Sequence, residues 1–77
     1  MTLGDYLNEL DKRESLKKLY LAGLLDSKFI EMKDFYNYFN ALEDKKGTIT
    51  AKRECIRAFK MNKSKVSRWL QRLKQTV

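Results

Sequence analysis

The fold is decided by residues 50–74, which read TAKRECIRAFKMNKSKVSRWLQRLK. Apolar residues recur at helical spacing on both sides of a short break at residues 60–62, which predicts two helices joined by a turn. The first helix turns Phe59 inward together with Cys55 or Ile56. The second helix has one apolar stripe, made of Val66, Trp69, Leu70 and Leu73. Asn62 is expected to cap this second helix, because its side-chain oxygen can accept a backbone N–H one turn later.

Positive charge is concentrated in the same part of the chain. Residues 50–77 carry nine basic side chains and one acidic one, a net charge of +8, whereas residues 1–49 carry eight basic and nine acidic ones, a net charge of −1. A basic face of this kind is what binding to a polyanion requires, because each neutralised phosphate releases a condensed counterion. Taken alone, a charge run is equally typical of a solvated helix face.

The pattern resembles the helix-turn-helix of bacterial and phage DNA-binding proteins. The residues that carry the resemblance are Phe59, Met61, Asn62, Lys63, Ser64, Val66, Ser67, Arg68, Trp69 and Leu70. In that family an apolar residue closes the first helix, another lies in the turn, a polar residue opens the recognition helix, and two apolar anchors hold it in the core. Two positions depart from this pattern, since Ile56 replaces a small residue and Lys60 replaces glycine. Lys60 must therefore adopt a left-handed backbone or a differently shaped turn.

The resemblance implies that the helix at about residues 62–74 enters the major groove of double-stranded DNA. Its outer face would read base edges through Ser64, Lys65, Ser67, Arg68 and Gln71. Backbone phosphates would be held by Lys52, Arg53, Asn62, Lys63 and Arg72. These residue types suit the roles, since arginine can bond guanine bidentately, glutamine can read adenine, and serine and lysine can hold phosphates.

The first 25 residues are predicted to be helical. Thr2 can cap a first helix, whose apolar residues follow at helical spacing. The periodicity breaks near Arg13, and Asp11 with Glu14 has the spacing of a capping box, from which a second helix can begin. One bent helix and two separate helices are both compatible with residues 3–25.

A longer helix is predicted after Asp26 and Ser27, which offer an N-cap. Its apolar stripe consists of Phe29, Met32, Phe35, Phe39 and Leu42. The helix ends at Lys46 and Gly47, because basic residues followed by glycine favour a helix C-terminus. Residues 48–50 read Thr-Ile-Thr and are predicted to be extended, with Thr50 capping the helix that follows.

Together these patterns predict an all-α protein, a small bundle of about four helices that ends in a helix-turn-helix. At 77 residues the chain is expected to form one domain, 1–77. Residues 1–47 would be a helical scaffold with a candidate dimerisation surface, and residues 48–77 would be the helix-turn-helix.

Composition argues against catalysis. The chain has no histidine and one cysteine, so the commonest general base and a structural zinc site are both lacking. We therefore expect neither an enzyme nor a bound cofactor or metal. Cys55 is expected to be a small buried apolar residue rather than a reactive thiol.

The expected location is the cytoplasm. No apolar run approaches the roughly 18 residues that a membrane span needs. Asp5, Glu9 and Asp11 stand where a signal peptide would be basic and then apolar. A single cysteine fits a reducing compartment.

The expected function is sequence-specific binding of double-stranded DNA, in a small transcriptional regulator or an accessory factor of a mobile element. One recognition helix reads few base pairs, so a homodimer or a protein partner, contacted through the N-terminal helices, would favour specific binding. Two other functions stay open. The basic and aromatic faces could bind an acidic partner protein, or the chain could bind RNA or a single strand with Trp69 stacked on a base. However, the spacing of Trp69 from Val66 and Leu73 is more typical of a core residue.

Overall fold

Five helices joined by short turns form the molecule, and there is no β-strand. The computed structural model describes all 77 residues. The helices are α1 (Leu3–Lys12), α2 (Ser15–Leu21), α3 (Lys28–Lys46), α4 (Thr48–Ala58) and α5 (Lys63–Leu73). The all-α class is confirmed, with one helix more than the four or so expected, because the stretch over residues 3–25 contains two helices.

A tight turn separates α1 from α2. Thr2 caps α1 as predicted, and its hydroxyl oxygen accepts the backbone N–H of Asp5 at 3.2 Å. Glu14 has left-handed backbone with a φ of 59° and makes no side-chain capping bond. The predicted capping box of Asp11 and Glu14 is therefore wrong. Asp11 lies in the last turn of α1, and its carboxylate pairs with Lys33 of α3 at 3.1 Å.

The start of α3 is set by Asp26. Its Oδ1 atom accepts the backbone N–H of Lys28 at 3.0 Å, whereas Ser27 makes no side-chain capping bond. Asp26 and Ser27 were the expected capping residues, and of the two it is Asp26 that supplies the capping hydrogen bond. An acceptor at this place satisfies one of the amide groups that the first turn of a helix leaves unpaired.

Gly47 ends α3 as predicted and leads directly into α4. Its φ of 87° is a backbone region that favours glycine. The prediction of extended backbone over residues 48–50 is wrong, since Thr48 opens α4 and its hydroxyl donates to Glu43 at 2.8 Å. Packing overrode the β-branched sequence here, because α4 lies along α3 and its residues Ala51 and Cys55 are completely buried.

A single cluster of twelve buried residues fills the interior and draws on all five helices. Its members are Leu7, Leu16, Met32, Phe35, Tyr36, Phe39, Ala51, Cys55, Met61, Val66, Leu70 and Leu73. The ring of Phe35 lies 5.7 Å from that of Phe59 and 5.5 Å from that of Trp69, both in edge-to-face geometry. These contacts join α3 to the end of α4 and to α5.

α1 lies close to α3 where Gly4 faces Tyr36. A Cβ atom at Gly4 would come within 2.5 Å of the Tyr36 ring, so only glycine permits this approach. The hydroxyl of Tyr36 donates to Asp5 at 3.3 Å. Farther along the two helices, Asn8 and Asn37 exchange two side-chain hydrogen bonds of 3.0 Å each.

The two ends of the chain are bonded to each other. The backbone N–H of Leu3 donates to Gln75 at 2.8 Å, and that of Val77 donates to Met1 at 3.0 Å. These bonds tie the C-terminal end of α5 to the beginning of α1, so α5 is held at both of its ends. None of the five helices combines the length and the apolar content needed to cross a membrane.

Candidate nucleic-acid interface

The turn between α4 and α5 contains a left-handed residue, which is one of the two geometries that the sequence left open for Lys60. Phe59 ends α4, and Lys60 has a φ of 53°. The backbone N–H of Met61 donates to the carbonyl oxygen of Ile56 at 3.1 Å, a bond typical of the Schellman motif. Met61 is buried, as expected for an apolar residue in such a turn. This geometry sets the direction in which α5 leaves α4.

Asn62 caps α5 as predicted. Its Oδ1 atom accepts the backbone N–H of Lys65 at 2.7 Å. The backbone N–H groups of Lys63 and Ser64 donate to no group of the chain. Because unpaired amides and the helix dipole favour negative charge, the start of α5 is suited to an anion. The oxygen of Asn62 accepts the cap bond, and its amide NH2 group is the donor that a phosphate oxygen could contact.

The outer face of α5 is polar and exposed. It presents Ser64, Ser67, Arg68 and Gln71, all of which were predicted to read bases. The opposite face buries Val66, Leu70 and Leu73, so the predicted division of the helix into two faces is confirmed. We call this exposed set, Ser64, Ser67, Arg68 and Gln71, the polar row.

Gln75 extends the polar row beyond the end of α5. Arg68, Gln71, Arg72 and Gln75 surround a shallow depression of about 290 Å³. Gln75 was not among the predicted site residues. Its spacing of four residues from Gln71 was the signal that could have found it, since residues four apart share a helix face.

Two basic residues lie on the α3 side of the polar row. Lys65 is partly buried, and its ammonium nitrogen lies 4.9 Å from the ring centre of Trp69. The guanidinium carbon of Arg72 lies 5.7 Å from the ring centre of Phe29 on α3. Both contacts have cation–π geometry, which holds these long side chains against aromatic faces. Lys65, predicted to read bases, thus lies beside the polar row rather than within it.

On the other side of the polar row, α4 and the start of α5 enclose a groove of about 470 Å³. Three of the predicted phosphate-binding residues, Lys52, Arg53 and Lys63, line it together. The rest of its lining is apolar and consists of Ile49, Ile56 and Val66. Ile49 was not among the predicted site residues, and it lies in the first turn of α4, where extended backbone had been expected. We call this feature the cationic groove.

The basic side chains of α4 and α5 are not neutralised within the molecule. The two ion pairs of the structure both involve Lys33 of α3, which bonds Asp11 and Asp34. Partial burial opposes the charging of Lys33, but these two carboxylates outweigh it and raise its pKa. No carboxylate pairs with a basic residue of the interface, so the positive charge remains available to a ligand.

Cys55 and Trp69 both contribute to packing. Cys55 is completely buried, and this burial, with the nearby charge of Glu54, raises the pKa of its thiol to about 11. Trp69 is partly buried, with Phe35 on one side and the ammonium of Lys65 over its ring. The expected core role of both residues agrees with these contacts.

Comparison of the chain with protein-family models, with curated proteins and with solved structures gave no match.

Proposed function

We propose that the chain binds double-stranded DNA through a helix-turn-helix formed by α4 and α5, with α5 as the recognition helix. One observation carries this proposal: the polar row of α5 is exposed between two sets of cations. The cationic groove lies on the α4 side with Lys52, Arg53 and Lys63, and Lys65 and Arg72 lie on the α3 side. A helix in the major groove has a phosphate backbone on each side, so cations on both flanks suit a duplex.

The proposed roles divide along the same lines. Arg68 and Gln71 read base edges, because arginine bonds guanine bidentately and glutamine bonds adenine in the same way. Lys63 holds a phosphate together with the free amide groups at the start of α5. DNA binding of this kind suits a small transcriptional regulator or an accessory factor of a mobile element, and that assignment is by analogy with the helix-turn-helix proteins.

Fluorescence anisotropy of the full chain tests the proposal. The preferred duplex is first selected from a randomised pool and then compared with an unrelated duplex and with a single strand at several salt concentrations. Arg68→Ala should lose about 1–3 kcal/mol of preference for the selected duplex. Lys63→Ala should weaken binding to both duplexes alike and flatten the salt slope by about 1.

Matched controls are available at the C-terminal end of α1. Arg13→Ala removes the same side chain as Arg68→Ala, and Lys12→Ala the same as Lys63→Ala, at exposed positions outside α4 and α5. Neither control should change affinity for the selected duplex more than about twofold, given the screening of distant charges. Absence of duplex binding at low salt would sink the proposal. Equal losses by Arg68→Ala on every sequence would refute base reading by that residue.

An acidic protein partner is the second candidate, and the lining of the cationic groove favours it. Ile49 is 76% exposed and lines the groove with Ile56 and Val66, which an apolar side chain of a peptide could contact. Ile49→Ser separates the two functions. It should leave duplex affinity within about twofold, because phosphate contacts are electrostatic. A protein partner seated in the groove would instead lose that apolar contact and bind at least about tenfold more weakly.

A single-strand binder is less well supported. Such proteins stack bases on aromatic faces, and the Trp69 ring is covered by Lys65 and packed against Phe35. Tighter binding to the single strand than to the duplex, with quenching of Trp69 fluorescence, would reverse this order.

A further inference from the structure

α2 and the turn that follows it expose three large apolar side chains. Tyr20, Leu21 and Leu24 are 42%, 71% and 75% exposed. Tyr20 and Leu21 also line a groove of about 300 Å³, whose apolar lining is completed by Leu16 and Ile30. We call Tyr20, Leu21, Leu24 and this groove the α2 patch. Exposed apolar patches of a few hundred Å² commonly mark interaction sites.

The α2 patch lies on a helix that is separate from the proposed DNA interface. α2 packs mainly on α1 and makes no comparable packing contact with α4 or α5. An occupant of the α2 patch therefore has no need to contact the polar row or the cationic groove.

We propose that the α2 patch binds the same patch of a second copy of this chain, forming a two-fold homodimer. A two-fold interface must be complementary to itself. The α2 patch meets this condition, because Leu21 protrudes at the edge of a groove that can receive such a side chain. Residues 1–47 were predicted to offer a dimerisation surface, and this proposal assigns that surface to the α2 patch.

The charges around the α2 patch suit a second copy. Asp11 and Lys17 both line the groove, so its rim carries one charge of each sign. Asp11 already bonds Lys33 of its own chain but is about half exposed, so a two-fold arrangement can also set Lys17 of one copy against Asp11 of the other.

The small size of the α2 patch limits how strongly two copies of the chain can associate. Standard interfaces bury about 800 Å² on each partner, and smaller ones are weak or transient. The free chain should therefore dimerise with a dissociation constant on the order of 100 μM, and a two-fold DNA site should strengthen assembly by holding both copies together. The dimer rests on the proposed function in one respect only: its role would be to supply a second recognition helix for a two-fold DNA site.

Sedimentation equilibrium of the full chain without DNA tests the dimer, over about 10 μM to 1 mM around that expected constant. The average mass should rise from 9.2 kDa toward twice that value. Leu21→Asp and Leu24→Asp should each weaken dimerisation at least about tenfold, because a carboxylate would be buried in an apolar contact. Both positions are largely exposed, so folding should survive, and circular dichroism verifies that it does.

Ile49→Asp is the matched control, since Ile49 is equally exposed but lies in the cationic groove. It should leave the dimer unchanged. A chain that stays at 9.2 kDa at about 1 mM, ten times the expected constant, overturns the dimer. Equal weakening by Ile49→Asp and Leu21→Asp overturns its location. The two proposals fail separately: a monomer that binds the selected duplex refutes only the dimer, and a dimer that binds no duplex refutes only the DNA interface.

Discussion

Lys60 holds the backbone of the turn between α4 and α5 in a conformation that suits glycine. Its φ of 53° places a Cβ atom where it crowds the following carbonyl oxygen, which costs about 1–2 kcal/mol. Lys60→Gly should therefore raise the free energy of unfolding by about 0.5–1 kcal/mol, after the greater entropy of glycine in the unfolded chain is offset. Thermal denaturation should show this as a rise in Tm of roughly 2–8 °C for a domain of this size.

The matched control for this change is Lys60→Ala. It removes the same charge but keeps the Cβ atom, so the strain stays and no comparable gain in Tm is expected. Similar gains in both variants would mean that relief of charge repulsion, rather than of backbone strain, stabilises the turn.

The packing of α1 on α3 depends on the absence of a side chain at Gly4. In most helix interiors, alanine in place of glycine stabilises by about 0.8–1.0 kcal/mol. At this position the added Cβ atom would lie 2.5 Å from the Tyr36 ring, so one of the two helices must shift. Gly4→Ala should therefore lower the free energy of unfolding by about 1–3 kcal/mol, measured by urea denaturation.

A second background separates this clash from other effects. In a Tyr36→Leu chain the ring is gone, and the added Gly4→Ala change should cost less than it does in the parent. Tyr36→Phe keeps the ring and removes only the hydroxyl bond to Asp5, so the full penalty of Gly4→Ala should remain. A stabilising effect of Gly4→Ala in the parent would show that α1 does not pack this closely on α3.

Across the whole molecule, the thiol of Cys55 reports opening of the core. It is completely buried, and burial raises its pKa from about 9.0 to about 11. Because the folded pKa is the higher one, the neutral thiol contributes stability fully below about pH 9, and this contribution is lost as the pH rises through about 11. At pH 8 the native chain should react with a thiol reagent only as fast as it unfolds.

The measurement is the rate of thiol modification at pH 8 in increasing urea. It should rise in parallel with unfolding followed by Trp69 fluorescence, and the fully unfolded chain should react at once. Rapid modification without urea would contradict the packing of α4 on α3, since that packing covers Cys55.

Several elements followed from local sequence alone. The stripe of α5, its Asn62 cap and the end of α3 at Gly47 depend on helical periodicity and on hydrogen bonds within a few residues. The same local reasoning limited Lys60 to two backbone geometries, of which the structure adopts the left-handed one. Such features are readable because both partners of each interaction lie close together in the chain.

The start of α4 and the cap of α2 did not follow from local sequence. Thr48 opens a helix because residues farther along α4 are buried against α3, and this packing outweighs the local preference for extended backbone. Glu14 stands at the N-cap of α2 with left-handed backbone and no side-chain bond, while Asp11 belongs to α1 and pairs with Lys33 of α3.

The candidate interface divides in the same way. The sequence by itself determined the all-α class, the basic C-terminal third and the polar row of α5, because charge and helical spacing can be read directly from residue order. Only the tertiary structure decided that Lys52, Arg53 and Lys63 share one groove, that Lys65 lies against Trp69, and that the apolar side chains of α2 remain exposed. Each of these depends on how separate helices pack, which is set by the shape of the whole core rather than by any one segment.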